Sequence, residues 1–241
     1  MPNSRRSITD NLARIRENIA AAAAKTKREP SSVRLVAVTK TADLEQLKAL
    51  VELGAADLAE SRVQQLGERA DELDSWLNRR RKEPPPPVRW HMVGHLQRNK
   101  VKDIVGRVCL IHSVDSLRLA EEIESRSAQQ ELVSDVLLEV NCSEESQKHG
   151  VAVGAVACLG EQISTLSHVR LVGLMTMAAR TDDPETARPT FLRLREIFDE
   201  MRRDRVGGKD FVHLSMGMSQ DYQVAVEEGA TLVRIGTALF S

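Results

Sequence analysis

The feature that most constrains this chain is a regular alternation of short apolar segments with helical segments, repeated eight times in 241 residues. The apolar segments are rich in β-branched residues, which favours strands. Strands that alternate with helices pair in parallel, because each helix returns the chain to the same edge of the sheet. The predicted strands cover residues 33–39, 57–60, 88–93, 108–113, 135–141, 169–174, 211–215 and 232–235.

Eight such units predict an α/β fold, a closed (β/α)8 or TIM barrel that forms a single domain over residues 1–241. The alternative is an open, doubly wound sheet, which usually has fewer strands. The chain ends six residues after the eighth strand, so we expect the outer helix at that place to be missing. An extra N-terminal helix over residues 7–25 is expected to cover the gap.

The remaining predicted helices differ in how clearly their ends are marked. Asp115 is predicted to cap a helix that ends near Gln129, and Pro184 to begin one that ends near Arg203. The others cover 43–53, a long segment that reaches about residue 80, 97–105, 151–165 and 220–228.

Charge and aromatic content argue against a nucleic-acid binder. Lys and Arg number 34 against 35 for Asp and Glu, a net charge of −1, and aromatic residues are 3% of the chain. An adaptor that binds RNA or protein through the basic run 79–82 is an alternative, but such a run is more often a solvated helix end. We therefore predict no nucleic-acid partner.

The three cysteines, Cys109, Cys142 and Cys158, are widely spaced and form no CxxC pair. This pattern favours a reducing compartment, with each cysteine packed as a small buried hydrophobe. No apolar run is long enough for a membrane span. We predict a cytoplasmic protein without a membrane partner.

The functional face of a barrel lies at the carboxyl ends of its strands. Lys40 follows the first strand, where partial desolvation would favour the neutral, nucleophilic amine. The alternative is a lysine that extends from the strand end into solvent. The loops after strands seven and eight contain 215–219 and 234–237, whose glycines and hydroxyls suit a phosphate. Ordinary helix caps and turns are the alternative for these loops.

A lysine and a phosphate site at one barrel mouth together favour a phosphorylated aldehyde held as a Schiff base. Pyridoxal 5′-phosphate (PLP) is the commonest such ligand. A metal site at His91, His95 and His112 is an alternative, but these residues straddle a strand end and a turn, and no Cys or carboxylate completes a ligand set. We predict no metal.

Six stretches, in order along the chain, resemble the YggS/PROSC family of PLP homeostasis proteins. The most specific are WHMVGHLQRNK at 90–100 and LSMGMS at 214–219. The others are VAVTK at 36–40, HSVDS at 112–116, GLMT at 173–176 and RIGTALF at 234–240. One departure is Ser61, which stands where the family usually has an asparagine.

The resemblance implies a barrel like the N-terminal domain of alanine racemase, with PLP on Lys40 as a Schiff base and Arg234 beside the pyridine nitrogen. It also implies phosphate contacts from Ser215, Gly217, Met218, Ser219, Gly236 and Thr237. It implies a role in vitamin B6 homeostasis and PLP delivery. Lys148, in the loop after the fifth strand, is predicted to take PLP transiently as a second site; the alternative is an ordinary exposed loop lysine.

An arginine at the ring nitrogen cannot accept a proton, so a carbanion would be poorly stabilised. The only tyrosine, Tyr222, is expected in a helix rather than opposite Lys40. We therefore predict a monomeric PLP carrier that is not an enzyme, has no catalytic residues and hands PLP to apo-enzymes. A weakly active PLP-dependent amino-acid racemase is the alternative.

Overall fold

The computed structural model describes residues 2–79, 85–143, 145, 149–179 and 182–241. Within these residues, eight parallel strands form a closed barrel, which confirms the predicted fold. Each predicted strand boundary lies within two residues of the observed one. The strands are β1 (Arg34–Val38), β2 (Asp57–Glu60), β3 (Arg89–Met92), β4 (Leu110–Val114), β5 (Ser134–Asn141), β7 (Val169–Met175), β8 (His213–Ser215) and β9 (Leu232–Ile235), while β6 (Val151–Ala152) pairs with β5.

The helices surround the barrel, and the barrel strands separate two apolar layers. One layer packs between barrel and helices, and a smaller one fills the barrel interior. Interior positions alternate along each strand, as in Val36 and Val38 of β1. The helices are α1 (Pro2–Lys25), α2 (Leu44–Glu52), α3 (Val63–Asn78), α4 (Leu117–Gln129), α5 (Val156–Ser164), α6 (Arg188–Arg203), α7 (Tyr222–Glu227) and α8 (Thr237–Phe240).

The end of the chain is held against the N-terminal helix. Asn11 of α1 donates to the carbonyls of Leu239 (3.1 Å) and Ser241 (2.9 Å). Asn18 donates to the hydroxyl of Tyr222 at 2.9 Å. The expectation that α1 covers this place is confirmed. The expectation of a missing outer helix was wrong, because α8 forms one short helical turn there.

Two predicted helices were partly wrong. Residues 97–105 contain a 3₁₀ helix at Arg98–Asp103 instead of an α-helix. A 3₁₀ helix rises about 2.0 Å per residue against about 1.5 Å, so it spans the short connection between β3 and β4 with fewer residues. In the segment 151–165, Val151 pairs with Val140 of β5, and α5 begins only at Val156. Backbone pairing with the end of β5 overrides the helical pattern there.

Two helix starts also differ from the prediction. Ser116, not Asp115, is the N-cap residue of α4, and its hydroxyl donates to the Asp115 carboxylate. Pro184 begins a 3₁₀ turn, and α6 itself begins at Arg188. Pro189 sits in the first turn of α6, where the N–H that proline lacks has no helical partner.

The prediction of buried cysteines was wrong for two of the three. Cys109 and Cys158 are exposed, and Cys142 is half-buried. Within the described residues, none of the three forms a disulfide. Separately, none of the described helices is long and apolar enough to cross a membrane.

Candidate functional site at the mouth of the barrel

Lys40 lies at the carboxyl end of β1, in a turn that opens the mouth of the barrel. Val36 and Val38 face the interior, so the alternation places Lys40 on the same side. Its side chain is exposed, contrary to the partial desolvation expected from the sequence. The neighbouring Thr39 faces the other way and is buried. The amine is therefore accessible to a ligand from solvent.

The turn that carries Lys40 is held from behind by Arg69 of α3. Its guanidinium donates to the carbonyl of Thr39 and, at 2.8 Å, to the carbonyl of Ala42. It also pairs with Glu60 Oε1 at 2.8 Å. Sequence reasoning missed Arg69, because a charged residue within an amphipathic helix carries no local sign of a buried partner.

The loop after β8 is shaped by Gly217, whose φ is +91°. A Cβ there would lie 2.5 Å from Cβ of Ala225 and 2.9 Å from Cα of Tyr222, so a larger residue does not fit. The N–H of Met218 donates to Asp221 Oδ1 at 2.6 Å. These contacts hold the loop against the start of α7.

Ser219 joins this loop to the one after β9. Its Oγ accepts from the N–H groups of Gly236 (3.3 Å) and Ala238 (3.2 Å). Gly236 in turn lies against β1, where an added Cβ would be 3.2 Å from the carbonyl oxygen of Val38. Within the described part of the chain, the N–H groups of Ser219 and Thr237 have no acceptor. They are free to receive an anion at the mouth.

Two of the residues predicted to contact phosphate are engaged elsewhere. Ser215 is fully buried, and its Oγ accepts from Arg234 Nη1 at 2.6 Å. The N–H of Met218 is taken by Asp221. The structure therefore brings together Gly217, Ser219, Gly236 and Thr237 at the mouth and turns Ser215 towards the barrel interior.

Arg234 is buried within the barrel, at 4% exposure. Besides Ser215, it donates from Nη2 to the carbonyl of Thr176 at 2.9 Å. Burial lowers the pKa of Arg234 to about 10, against the opposing field of Glu139 and Asp221. The guanidinium therefore stays charged at neutral pH.

Glu139 is a functional candidate that sequence reasoning missed. It is 3% exposed and shares the interior face of β5 with Leu137. Burial raises the pKa of Glu139 to about 7; Arg234 opposes this shift and Asp115 adds to it. Glu139 could have been found from the sequence, because it is an acidic residue at an interior position of an otherwise apolar strand.

The structure places His95 apart from His91 and His112, the other two histidines considered as metal ligands. His91 and His112 are buried, and both ring nitrogens of each are within hydrogen-bond distance of a partner. His95 instead lies at the mouth, 3.5 Å from a carboxylate oxygen of Asp115. His91 and His112 are therefore core histidines, as the sequence favoured.

His95, Asp115 and His149 bring their possible ligand atoms within 4.8 Å of one another, so a carboxylate is present after all. The two rings stack, with centroids 4.1 Å apart and planes 14° apart. Because an imidazole lone pair lies in the plane of its ring, two nearly parallel planes this far apart do not direct both lone pairs at one ion. We assign no metal to this cluster.

Comparison with known proteins identifies the family. The model of the alanine racemase N-terminal domain matches residues 11–241. A pyridoxal phosphate homeostasis protein of Aquifex aeolicus is 38% identical over 231 residues, which is 96% of this chain and 96% of that protein. The chain belongs to the pyridoxal phosphate homeostasis protein family. The predicted resemblance is confirmed.

Solved structures of similar proteins agree with this family. A protein of unknown function from Bifidobacterium adolescentis is 36% identical, with a TM-score of 0.92, and the match covers 100% of this chain and 97% of that one. PipY of Synechococcus elongatus, solved with PLP bound, is 30% identical, with a TM-score of 0.78 and coverage of 94% and 100%.

Proposed function

We propose that this protein binds PLP in the mouth of the barrel through Lys40 and takes part in vitamin B6 homeostasis. The observation that carries the proposal is the position of Lys40 at the end of β1, next to the loop after β9, which Ser219 joins to the loop after β8. Gly236 packs against Val38, so the loop after β9 lies next to the strand that ends at Lys40. The PLP-bound structure of PipY, a relative, supports the same ligand.

The donors at the mouth fit a phosphate group. The N–H groups of Ser219 and Thr237 are unpaired within the described residues, and the Ser219 hydroxyl lies between the two loops. Several N–H and O–H donors that converge from two loops suit the three acceptor oxygens of a phosphate. Gly217 and Gly236 let the backbone of both loops approach closely.

The residues present also fit the rest of PLP, which supplies an aldehyde that condenses with an amine and a ring that accepts electrons. The exposed amine of Lys40 is available for the aldehyde. Arg234, fixed by Ser215 and Thr176, is assigned to the ring nitrogen as a donor. Because a guanidinium with a pKa of about 10 keeps its proton at neutral pH, Arg234 would only donate and would leave the ring nitrogen of bound PLP unprotonated.

We infer that the protein carries PLP and does not turn over amino acids. Two-base racemisation needs a second proton acceptor on the ring face opposite the lysine. Tyr222 does not supply it, because this side chain is buried at the start of α7 and its hydroxyl is bonded to Asn18. Arg234 in place of a carboxylate also weakens the ring as an electron sink.

The wider role follows from the carrier assignment. We propose that residues 1–241 act as one PLP-binding domain, that the protein is a monomer, and that it passes PLP to apo-enzymes. The wide spacing of the three cysteines, without a CxxC pair, supports a reducing compartment such as the cytoplasm. Lys148, the expected second PLP site, lies outside the described residues, as does most of the basic run 79–82.

Borohydride trapping tests the proposal. PLP is added to the purified protein, the absorption spectrum is recorded, and the linkage is reduced before peptide mass mapping. We expect the phosphopyridoxyl group on Lys40. The Lys40→Ala variant should lose the covalent product yet retain weaker PLP binding through the phosphate contacts.

Lys209→Ala is the matched control, because Lys209 is an exposed lysine that precedes β8, at the opposite end of the barrel strands. It should behave as the unaltered protein does. A reduced adduct found only on a lysine other than Lys40, in a folded protein, would overturn the assignment.

A further inference from the structure

A column of hydrogen bonds runs through the barrel interior from the amino-terminal end of β2 to Arg234. Asp57 Oδ1 lies 3.0 Å from His91 Nε2, and His91 Nδ1 lies 3.0 Å from His112 Nε2. His112 Nδ1 lies 2.8 Å from Ser215 Oγ, which accepts from Arg234 Nη1 at 2.6 Å. Side chains from five strands thus form one connected path.

All five members are buried, with exposures between 0% and 4%. Burial of a polar side chain is costly unless it is hydrogen-bonded, and a fully satisfied network defines one arrangement. Here every link is within hydrogen-bond distance. The column is therefore a specific structure, separate from the exposed loops of the mouth.

The charge of Asp57 determines the direction of every bond. Burial would raise the pKa of Asp57, but hydrogen bonds from His91 and Arg89 hold it well below its usual range, so it is a carboxylate. His91 must then donate from Nε2, which leaves its Nδ1 as an acceptor. Burial lowers the pKa of His91 and of His112, and for His112 the nearby His91 and Arg234 lower it further.

With His91 Nδ1 an acceptor, His112 must donate from Nε2 and accept at Nδ1. Ser215 then donates its hydroxyl proton to His112, and its oxygen accepts from Arg234. Each bond along the column therefore points the same way, from the cation towards the anion of Asp57. Aligned hydrogen bonds of this kind polarise and strengthen one another.

We propose that His112 is a positioning residue, which holds Arg234 in one orientation by fixing the hydroxyl of Ser215, and that His91 determines which nitrogen of His112 carries the proton. The guanidinium is anchored twice, at Ser215 and at the carbonyl of Thr176. Two anchors fix its plane and leave other N–H groups for the ring nitrogen of a ligand. This last step rests on the proposed PLP function.

Nitrogen-15 NMR of histidine-labelled, ligand-free protein tests the column without PLP. His91 and His112 should both be neutral and protonated at Nε2. A proton on Nδ1 of either ring would overturn the direction of the bonds. This result does not depend on PLP binding, so it separates failure of the column from failure of the proposed function.

Two variants of His112 then remove different contacts: His112→Asn removes the contact with His91, and His112→Gln removes the contact with Ser215. An asparagine oxygen can replace Nδ1 and still accept from Ser215, whereas a glutamine amide replaces Nε2 and leaves Ser215 without an acceptor. His213→Gln is the matched control, since His213 is a partly buried histidine on β8 outside the column.

PLP labelled with nitrogen-15 in its ring reports the hydrogen bond from Arg234. We expect His112→Gln to shift the ring-nitrogen signal and to weaken PLP binding about tenfold, the value of one ordinary hydrogen bond. His112→Asn should stay close to the His213→Gln control on both measures. A glutamine variant at control values, or an asparagine variant as impaired as glutamine, would overturn the positioning role. Absence of a PLP link to Lys40 in the unaltered protein would instead refute the proposed function.

Discussion

Replacement of Arg69 by methionine should both destabilise the protein and loosen its hold on PLP. The guanidinium of Arg69 joins three groups: the carbonyls of Thr39 and Ala42, on either side of Lys40, and the carboxylate of Glu60. Methionine fills much of the same volume without any donor. The variant therefore frees the turn that carries Lys40 and leaves Glu60 without its cation.

The size of the effect follows from burial. The side chain of Glu60 is 0% exposed and that of Arg69 17%. Removal of one partner from a buried pair costs about 3–5 kcal/mol, and partial access of water to Arg69 favours the lower end. For a domain of this size, about 3 kcal/mol corresponds to a melting temperature lower by roughly 6–12 °C.

Urea unfolding of the ligand-free variant measures the first effect, and a PLP titration measures the second. Arg126→Met is the matched control, because Arg126 pairs with Glu122 on the surface of α4 and should cost about 0.3–0.5 kcal/mol. The double variant Arg69→Met/Glu60→Gln should recover part of the stability, since it removes the unpaired carboxylate. Equal losses for Arg69→Met and Arg126→Met would refute the reasoning.

Four further predictions use other parts of the structure. Pyridoxal without its phosphate should bind orders of magnitude more weakly than PLP in a titration, because a charge-assisted bond from a group such as Ser219 or Thr237 contributes roughly 1.5–3 kcal/mol; equal affinities would contradict the phosphate site. The folded-state pKa of Asp57 lies below its unfolded value, so its stabilising effect is present above about pH 4 and is lost on further acidification. The free energy of unfolding of Asp57→Asn should therefore be lower than that of the unaltered protein at pH 7, and the difference should shrink below about pH 4. A difference that does not change with pH would contradict this role of Asp57. PLP-loaded protein incubated with L-alanine in deuterated water should produce no D-alanine; multiple turnovers that vanish in Lys40→Ala would favour the racemase. Lys148→Ala should slow transfer of PLP to an apo-enzyme, and transfer at the unaltered rate would remove the second-site hypothesis.

The sequence by itself determined the barrel and the location of its functional face. Alternating strand and helix segments require parallel pairing, and a two-residue period along β1 puts Lys40 on the side of Val36 and Val38. The two loops rich in glycine and serine at the mouth could also be located, because these residues after two strands are local signals. These features depend on neighbours within a few residues, so periodicity and residue type are enough to find them.

The tertiary structure decided which polar groups touch. The sequence predicts Ser215 as a phosphate ligand. In the structure, the pairing of β8 with β9 places its hydroxyl within hydrogen-bond distance of His112 and Arg234. Asp57 and His91 are 34 residues apart and meet at 3.0 Å. Such contacts depend on strand register and on side-chain positions to within a fraction of an ångström. The period of a sequence specifies a face, and only the closed barrel brings the side chains on that face within hydrogen-bond distance.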